Sequence, residues 1–357
     1  MPAWIIGMIG VEPPKGTTLH VIAGGVSAPF LREFAQKHEA AGFDQVLVGY
    51  YSSSAEGFNV ASHAAAHTKT LSYLVAHRPG IVSPSLAARA AATFDHLSDG
   101  RLSVHIIAGV TDQEQESEGD FLGKDARYER GAEYLSVIRR IWTSPESFDH
   151  TGQYYRFKGA WSAVKPMQKP YPKLFFGGSS EGALQMGAEH CDVYAIYGEP
   201  LKETADRIAE FRQRAARFGR TPGFNVSFRP IIAPTEGEAW DKARRVLHDI
   251  ENAGLPKRAQ DKSAERMLEI ARRGDVHDER LWLPIAKATG AKGNTTCLVG
   301  TPRQVADAML RYYRLGVSSF LIRGFDPLED TTEFGRDLIP MIKQGALEID
   351  RELAAAE

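Results

Sequence analysis

Short apolar runs and longer amphipathic stretches alternate along most of the chain. The short runs are rich in Val, Ile, Leu and Phe and are bounded by turn residues, which is typical of buried strands. The longer stretches repeat apolar residues every three or four positions, as an amphipathic helix does. The pattern predicts eight strands, over 3–10, 44–50, 71–76, 102–109, 173–178, 192–198, 224–234 and 317–324. Helices are predicted over 27–43, 57–68, 83–100, 126–142, 201–219, 236–252 and 301–316.

This alternation of strands and helices predicts an α/β fold with a parallel sheet covered by helices. Eight such units fit a closed (β/α)8 TIM barrel, and we expect one domain over residues 1–357. An open, doubly wound sheet is the main rival fold, but no G-x-G-x-x-G follows the first strand.

Two stretches interrupt the rhythm. FDHTGQYYRF, at 148–157, has a turn signal between alternating residues and predicts a surface hairpin. Residues 253–296 are charged, contain glycines and show no clear period. Because long irregular insertions near a barrel mouth often gate access to a site, we expect a lid there.

Composition narrows the classes of ligand and partner. The formal net charge is −2, so nothing draws the whole molecule to nucleic acid or to an anionic membrane. Cys191 and Cys297 have no metal-ligand spacing and form no disulfide framework, which favours a reduced, cytoplasmic setting. No run approaches the roughly 20 apolar residues of a membrane span. His63 and His67 are four residues apart on a predicted helix, but no nearby carboxylate completes a metal site, so no metal is expected.

A glycine turn ends the fifth predicted strand. In LFFGGSSEGA, residues 174–183, an apolar run stops at two glycines, and a helical pattern follows Ser179 and Ser180. Backbone N–H groups, two hydroxyls and a helix start would together favour a bound anion, and late loops of such barrels often hold phosphate. Taken alone, the turn is better explained as an ordinary glycine turn in which one serine caps the helix.

Ordered stretches of the chain resemble the bacterial luciferase-like flavin monooxygenases, and within them the alkanesulfonate monooxygenase branch. They are LVAHRPGIVSPSLAARAAATFDHLSDGRLSVHIIAG (74–109), DARYERGAEYLSVIRRIW (125–142), KPYPKLFFGGSSEGA (169–183) and LVGTPRQVADAMLRYYRLGVSSFLIRGF (298–325). The motifs RYE and GGSS are individually weak signals, whereas the ordered set covers most of the chain. The resemblance implies a monooxygenase that uses reduced flavin mononucleotide (FMNH2) and O2. It also implies a separate NAD(P)H-dependent flavin reductase as partner and a homodimer or homotetramer.

The resemblance further implies a phosphate end of the cofactor site. Gly178, Ser179 and Ser180 would hold the flavin phosphate, and Arg127 and Tyr128 of RYE would line the phosphate and ribityl side. An arginine offers a fork of donors to a dianion, and a tyrosine offers a hydroxyl. Without a ligand, the same two residues are explained as a solvated helix charge and a core aromatic.

Two further positions are expected beside the cofactor. His105 is the first residue of HIIAG (105–109), the end of the fourth predicted strand, and is expected near the isoalloxazine, where family members often carry Asn. Glu114 matches an acidic family position close to the cofactor. A structural core histidine and a solvated loop charge explain them equally well.

Around the substrate, the chain departs from the alkanesulfonate pattern. Ser54 stands where that branch has a Cys, Tyr197 where it has a Trp, and Ser227 and Arg229 where it has Arg-x-His. Arg323 precedes the late turn. Arg229 and Arg323 would rebuild a cationic pocket for an anionic substrate, since Arg pairs with sulfonate or carboxylate. Structural ion pairs at the barrel mouth are the alternative explanation.

His77 ends the third predicted strand, so it is expected either to contact flavin or substrate or to be structural.

Taken together, these resemblances predict a two-component FMNH2- and O2-dependent monooxygenase of a small anionic organic substrate, foremost an organosulfonate cleaved to sulfite and an aldehyde. The alternatives are a deazaflavin-dependent oxidoreductase on the same barrel and an FMN-dependent monooxygenase of a non-sulfonate substrate. Two further alternatives are a phosphate-handling lyase or isomerase and a non-catalytic flavin-binding protein.

Overall fold

The computed structural model describes residues 3–14, 17, 25–108, 111–253, 262–293 and 295–356. The strands of this part of the chain are β1 (Trp4–Ile9), β2 (Gln45–Val48), β3 (Ser72–His77), β4 (Leu102–Ile106), β5 (Phe148–Thr151), β6 (Arg156–Ala160), β7 (Lys173–Gly177), β8 (Val193–Tyr197), β9 (Gly223–Ile232), β10 (Val276–His277), β11 (Leu281–Trp282), β12 (Cys297–Gly300) and β13 (Ser319–Ile322).

The helices in the same ranges are α1 (Ala28–Ala40), α2 (Gly57–Ala65), α3 (Pro84–Leu97), α4 (Asp112–Glu116), α5 (Lys124–Thr143), α6 (Glu181–His190), α7 (Leu201–Ala216), α8 (Glu236–Asn252), α9 (Lys262–Arg272), α10 (Pro284–Thr289), α11 (Pro302–Arg314), α12 (Pro327–Glu333) and α13 (Ile339–Ala356). A π-helical turn, Phe334–Leu338, joins α12 to α13.

The barrel closes through parallel pairing of β1, β2, β3, β4, β7, β8, β9 and β13, with β13 returning to β1. The closing pair aligns Trp4 with Ser319 and Ile6 with Leu321. The predicted (β/α)8 barrel is confirmed. The open-sheet alternative is wrong, because an open sheet has two unpaired edges at these positions.

Alternating side chains fill the barrel interior, as the pleat of a strand requires. One cluster comes from six different strands, with buried Ile6, Leu74, Phe175, Val193 and Leu321 and partly buried Leu47. Their neighbours in sequence, such as Ile5 and Val75, pack outward in the core beneath the helices. Residues two positions further along the same strand faces therefore surround the mouth of the barrel.

Local capping explains where several helices begin. The Ser27 hydroxyl accepts from the N–H of Phe30 at the start of α1, and Pro84 opens α3 as its sequence predicts. Thr235 and Glu238 form a capping box that starts α8 at the predicted boundary.

Both predicted insertions are present, and the second has more structure than its sequence indicated. The hairpin of β5 and β6 is confirmed. Within 253–296, the structure describes α9, β10, β11 and α10, while 254–261 and 294 lie outside the described residues. Whether this insertion acts as a lid stays a prediction, as does the extent of the domain.

Strand β9 belongs to two sheets. Its first half pairs with β8 and β13 in the barrel, and its residues 229–232 pair in parallel with β12. The antiparallel strands β11 and β10 extend this small sheet. A second apolar core, including Ile231, Trp282 and Val299, lies between it and α8 and α10.

Candidate functional site

A cavity of about 320 Å³ lies at the carboxyl ends of the barrel strands, the end at which sites form in this fold. This volume is at the lower end of the range for small-molecule sites. Interior-facing strand residues make its floor, among them Met8, Ala76, His105, Gly177, Tyr197 and Arg323. Loop residues that follow the strands make its walls.

The glycine turn after β7 forms one end of this cavity. The Tyr194 hydroxyl donates to the Gly178 carbonyl at 2.7 Å and fixes the turn. A Cβ on Gly178 would lie 2.9 Å from the Phe176 ring and 3.0 Å from the Ala183 side chain, so the position requires glycine. Gly178 also has a φ of 154°. The sequence therefore brings the backbone close to whatever the cavity holds.

Ser180 stands at the N-cap of α6, but its side chain makes no capping hydrogen bond. Its Oγ is buried and has no hydrogen-bond partner in the described part of the chain. The ordinary-cap explanation of Ser180 is therefore wrong, because a capping hydroxyl would accept from the first turn. The Ser179 hydroxyl lies 3.0 Å from that of Ser263, at the start of α9, and all three serines line the cavity.

His105 contributes another buried polar atom that has no partner among the described residues. Its ring lies beside Gly177, and its Nδ1 makes no hydrogen bond to the residues described. Burial lowers the pKa of His105 to about 4, so the imidazole is neutral near pH 7. A neutral imidazole has one nitrogen that donates and one that accepts. The cavity lining therefore includes a neutral imidazole whose Nδ1 has no partner in the described ranges.

Arg78 is a cavity residue that the sequence reasoning missed. Its guanidinium contacts Glu114 at 2.7 Å, pairs with Glu118, and lies 4.5 Å from the centre of the Tyr50 ring. Glu114 also accepts from the backbone N–H of Ser52 at 3.2 Å. This cluster fixes α4 and the loop after β2 over the cavity. The expected residue Glu114 lines the cavity with its carboxylate held by Arg78.

Four expected residues, His77, Ser54, Arg127 and Arg229, do not line the cavity. His77 faces the helical layer, where its Nε2 is hydrogen-bonded to the Tyr134 hydroxyl at 2.7 Å. Burial lowers the pKa of His77 to about 4. Ser54 closes a local turn by donating to the Tyr51 carbonyl at 2.8 Å.

Arg127 is the third of these residues. It is buried against α4, with one terminal nitrogen 2.6 Å from the Leu122 carbonyl and the other 2.8 Å from Asp112. Its neighbour Tyr128 does line the cavity and packs beside Gly182. Adjacent helix residues point in directions about 100° apart, so Arg127 packs against α4 while Tyr128 faces the cavity.

The two expected substrate arginines interact with each other, but only Arg323 lines the cavity. Arg323 lines the cavity beside Tyr51 and Tyr197, and burial lowers its pKa. Arg229 is fully buried behind the cavity, with its guanidinium 4.2 Å from the centre of the Phe325 ring. Burial and the charge of Arg323 hold the pKa of Arg229 well below its ordinary value.

A family model described as luciferase-like monooxygenase matches residues 12–319. The chain belongs to the luciferase-like monooxygenase family. This result confirms the family inferred from the ordered stretches; the match does not address the alkanesulfonate branch.

Solved structures that resemble this luciferase-like monooxygenase share its barrel. A riboflavin lyase with modified FMN and riboflavin is 21% identical, with 96% of this chain and 91% of that chain covered and a TM-score of 0.78. EDTA monooxygenase from Chelativorans sp. BNC1 is 17% identical, with coverage of 96% and 94% and a TM-score of 0.75. A coenzyme F420-dependent tetrahydromethanopterin reductase from Methanopyrus kandleri is 15% identical, with coverage of 96% and 99% and a TM-score of 0.71. At these identities the similarity shows the fold alone.

The described ranges contain neither a candidate metal site nor a candidate membrane span. No three His, Cys, Asp or Glu side chains in them are placed to hold a metal ion. None of their helices is both long and apolar enough to cross a membrane.

Proposed function

We propose that this luciferase-like monooxygenase is the oxygenase of a two-component system that uses FMNH2 and O2. The observation that carries the proposal is that the residues lining one cavity include Ser180 and His105, whose buried Oγ and Nδ1 have no hydrogen-bond partner in the described ranges. A buried polar group without a partner costs about 1–3 kcal/mol, so a ligand that pairs both atoms gains that free energy. A flavin mononucleotide has a phosphate for the first atom and a polar ring for the second.

The glycine turn at Gly178, the two serines Ser179 and Ser180, and the first turn of α6 together form a cradle that suits the phosphate group. Gly178 exposes the backbone, the N–H groups of the first turn of α6 have no partners within the helix, and Ser179 and Ser180 supply hydroxyls. Reduced flavin, when bound, supplies the electrons that activate O2. The chain binds and orients it, His105 offers a neutral imidazole nitrogen to its polar edge, and apolar residues such as Met8 and Leu47 keep water from the reacting groups.

The charge at the floor of the cavity favours an anionic substrate. Arg323 lies on the cavity surface with Tyr51 and Tyr197 near it, and Arg229 adds a second guanidinium behind it. Since two buried like charges destabilise each other, a sulfonate or carboxylate that contacts Arg323 would offset that repulsion. We propose an organosulfonate as substrate, with C–S cleavage to sulfite and an aldehyde. Arg323 would hold the sulfonate, and the tyrosine hydroxyls would orient it.

The test is a reconstituted assay. The protein is combined with an NAD(P)H-dependent flavin reductase, FMN and a panel of organosulfonates and matching carboxylates, and O2 uptake, sulfite and aldehyde are measured. We expect equal amounts of sulfite and aldehyde for at least one sulfonate, with no product when the reductase or FMN is omitted. If only a carboxylate gave product, the proposed oxygenase activity would stand and the proposed sulfonate substrate would be wrong.

A parallel binding measurement separates the deazaflavin alternative. Reduced FMN and reduced F420 are titrated into the protein without O2, and the dissociation constants are compared. Tight binding of F420 with none of FMN would overturn the proposed function.

A further inference from the structure

We propose that the first turn of α9 forms a second half of the phosphate site, in which Lys262 and Ser263, with Lys124 from α5, bind the terminal phosphate of the cofactor. The inference rests on the proposed function and extends it to residues of the 253–296 insertion. It makes the insertion part of the cofactor site.

The first observation is contact across the cradle. The Ser263 hydroxyl lies 3.0 Å from that of Ser179, although 84 residues separate them in sequence. Lys262 and Ser263 both line the cavity, as do Ser179 and Ser180. Ser180, whose Oγ has no hydrogen-bond partner among the described residues, thus lines the same cavity as the glycine turn and the start of α9. A phosphate oxygen placed there has hydroxyls on both sides.

The second observation concerns charge. A phosphate monoester carries about −1.5 to −2 charges near pH 7, and hydroxyls and N–H groups do not neutralise it. Arg127, the expected cation, lies outside the cavity lining and uses its terminal nitrogens on Leu122 and Asp112. Lys124, one turn earlier on the same helix, lines the cavity instead, and so does Lys262.

These two lysines share an acidic neighbour. Lys262 Nζ lies 2.8 Å from Glu265, and its hydrogen bond and charge, with a smaller effect from the charge of Lys124, lower the pKa of that carboxyl. Two ammonium groups around one carboxylate leave a net positive charge. Lys124, Lys262 and Glu265 therefore carry a net charge of +1 between them, although the whole chain carries a formal net charge of −2.

Other contacts hold α9 in place. Arg266 binds the buried carboxylate of Glu199 through two nitrogens, at 2.9 Å and 3.0 Å from Nε and 2.9 Å from the terminal nitrogen. Met267 and Ile270 are buried beneath the helix. Because these contacts position the helix, replacing Ser263 or Lys262 removes a ligand group without removing α9 from the barrel.

The experiment compares FMN with riboflavin, which has the same ring and no phosphate. Dissociation constants of both are measured for the full chain and for Ser263→Ala, Lys262→Met and Lys124→Met. We expect FMN affinity to fall about tenfold for Ser263→Ala, the effect of one hydrogen bond to a charged group. We expect about a fivefold fall for each lysine variant, smaller at high salt. Riboflavin affinity should stay within about twofold of the unmodified protein.

Lys202→Met is the matched control. Lys202 is also a helical lysine with a carboxylate at 2.7 Å, Asp206, but it lies outside the cavity lining. Its FMN affinity should not change. A charge reversal, Lys262→Glu, should weaken FMN more than Lys262→Met and leave riboflavin unchanged.

The two levels of inference fail differently. If the unmodified protein binds FMN and Ser180→Ala weakens it, but the α9 and Lys124 variants keep the ratio of FMN to riboflavin affinity, this inference is wrong and the proposed function stands. Equal losses of FMN and riboflavin affinity would also overturn it, because they indicate a change of shape and not a lost phosphate contact. If the unmodified protein binds no FMN, both fail.

Discussion

His77 and His105 lie on neighbouring strands and have opposite surroundings. Ala76 is aligned with His105, and His77 with Ile106, so the two rings point to opposite faces of the barrel wall. Burial lowers the pKa of each to about 4, and both are neutral at pH 7. His77 is paired with Tyr134, whereas His105 Nδ1 has no partner in the described ranges. The hydrogen-bond partner, and not the pKa, distinguishes a structural histidine from one that faces a ligand.

His105→Phe should weaken FMN and riboflavin by the same factor, about 2- to 10-fold, because the lost hydrogen bond is to the ring they share. Fluorescence titration with both flavins measures this. His77→Phe is the control: it should leave both affinities unchanged and lower the free energy of unfolding by about 1–3 kcal/mol, since it leaves the buried Tyr134 hydroxyl without its partner. A loss confined to FMN in His105→Phe would place the imidazole at the phosphate and contradict the proposed orientation.

At the level of individual residues, the sequence predicted the positions of motifs better than the directions in which side chains point. GGSS is local, so its position in the cavity followed from its place after a strand. The expectation for His77 used the strand end but not the alternation of side chains. Leu74, Ala76 and Arg78 all line the cavity at every second position, and that spacing indicates Arg78 instead of His77.

Helix α9 is the element that connects the insertion to the barrel. Its Arg266 is bound to Glu199, which is 2% exposed and is also held by Arg207 at 2.8 Å. Arg273, directly after its last residue, pairs with Glu203 on α7. The middle of the helix and its C-terminal end are therefore fixed to the same side of the barrel.

Arg266→Leu should leave the buried Glu199 carboxylate with less compensation and lower the free energy of local opening of α9 by about 2 kcal/mol. Amide hydrogen exchange measured by mass spectrometry should then be roughly thirtyfold faster in α9 and unchanged in α3. Arg272→Leu removes an exposed arginine of the same helix and serves as control. Equal exchange in the two variants would show that the ion pair does not hold the helix.

The sequence of this insertion contained a helical signal that its charges obscured. Ala264, Met267, Ile270 and Ala271 are buried and spaced three or four apart, as on one face of a helix. Strands β10 and β11 have two residues each, too few for any periodicity to appear. Such short strands are specified by their pairing partners, which sequence periodicity does not reveal.

At the scale of the whole molecule, the two ends of the barrel sequence meet. Strand β13 pairs with β1, and the π-helical turn before α13 packs on the end of α1. A Cβ on Gly335 would lie 2.6 Å from the Ala41 Cα and 2.7 Å from its carbonyl oxygen. Because backbone atoms cannot rotate away as a side chain does, this contact requires glycine.

Gly335→Ala should therefore destabilise the protein by about 2 kcal/mol or more, through displacement of the C-terminal helix from α1. Gly237→Ala is the matched control, since a Cβ there meets nothing within 4 Å and alanine favours the helix. Thermal unfolding should show a lower Tm for the first variant and an equal or higher Tm for the second. The contact would be unimportant if both variants unfolded at the same temperature.

The barrel was predictable because each strand-and-helix unit has its own local pattern and neighbouring units pair in sequence order. The pairing of β12 with the second half of β9 was not predictable, because it joins segments about seventy residues apart. No local pattern specifies which strand a distant segment will join.

The shared strand β9 also limits how this protein can be shortened. Excising 233–296 to obtain a minimal barrel would join Ile232 directly to Cys297, so β12 could no longer lie parallel to residues 229–232, and the loss of α8 and α10 would uncover the apolar side chain of Ile231. A bare strand edge of this kind invites aggregation. An engineer who removes the insertion therefore has to redesign the second half of the strand as well.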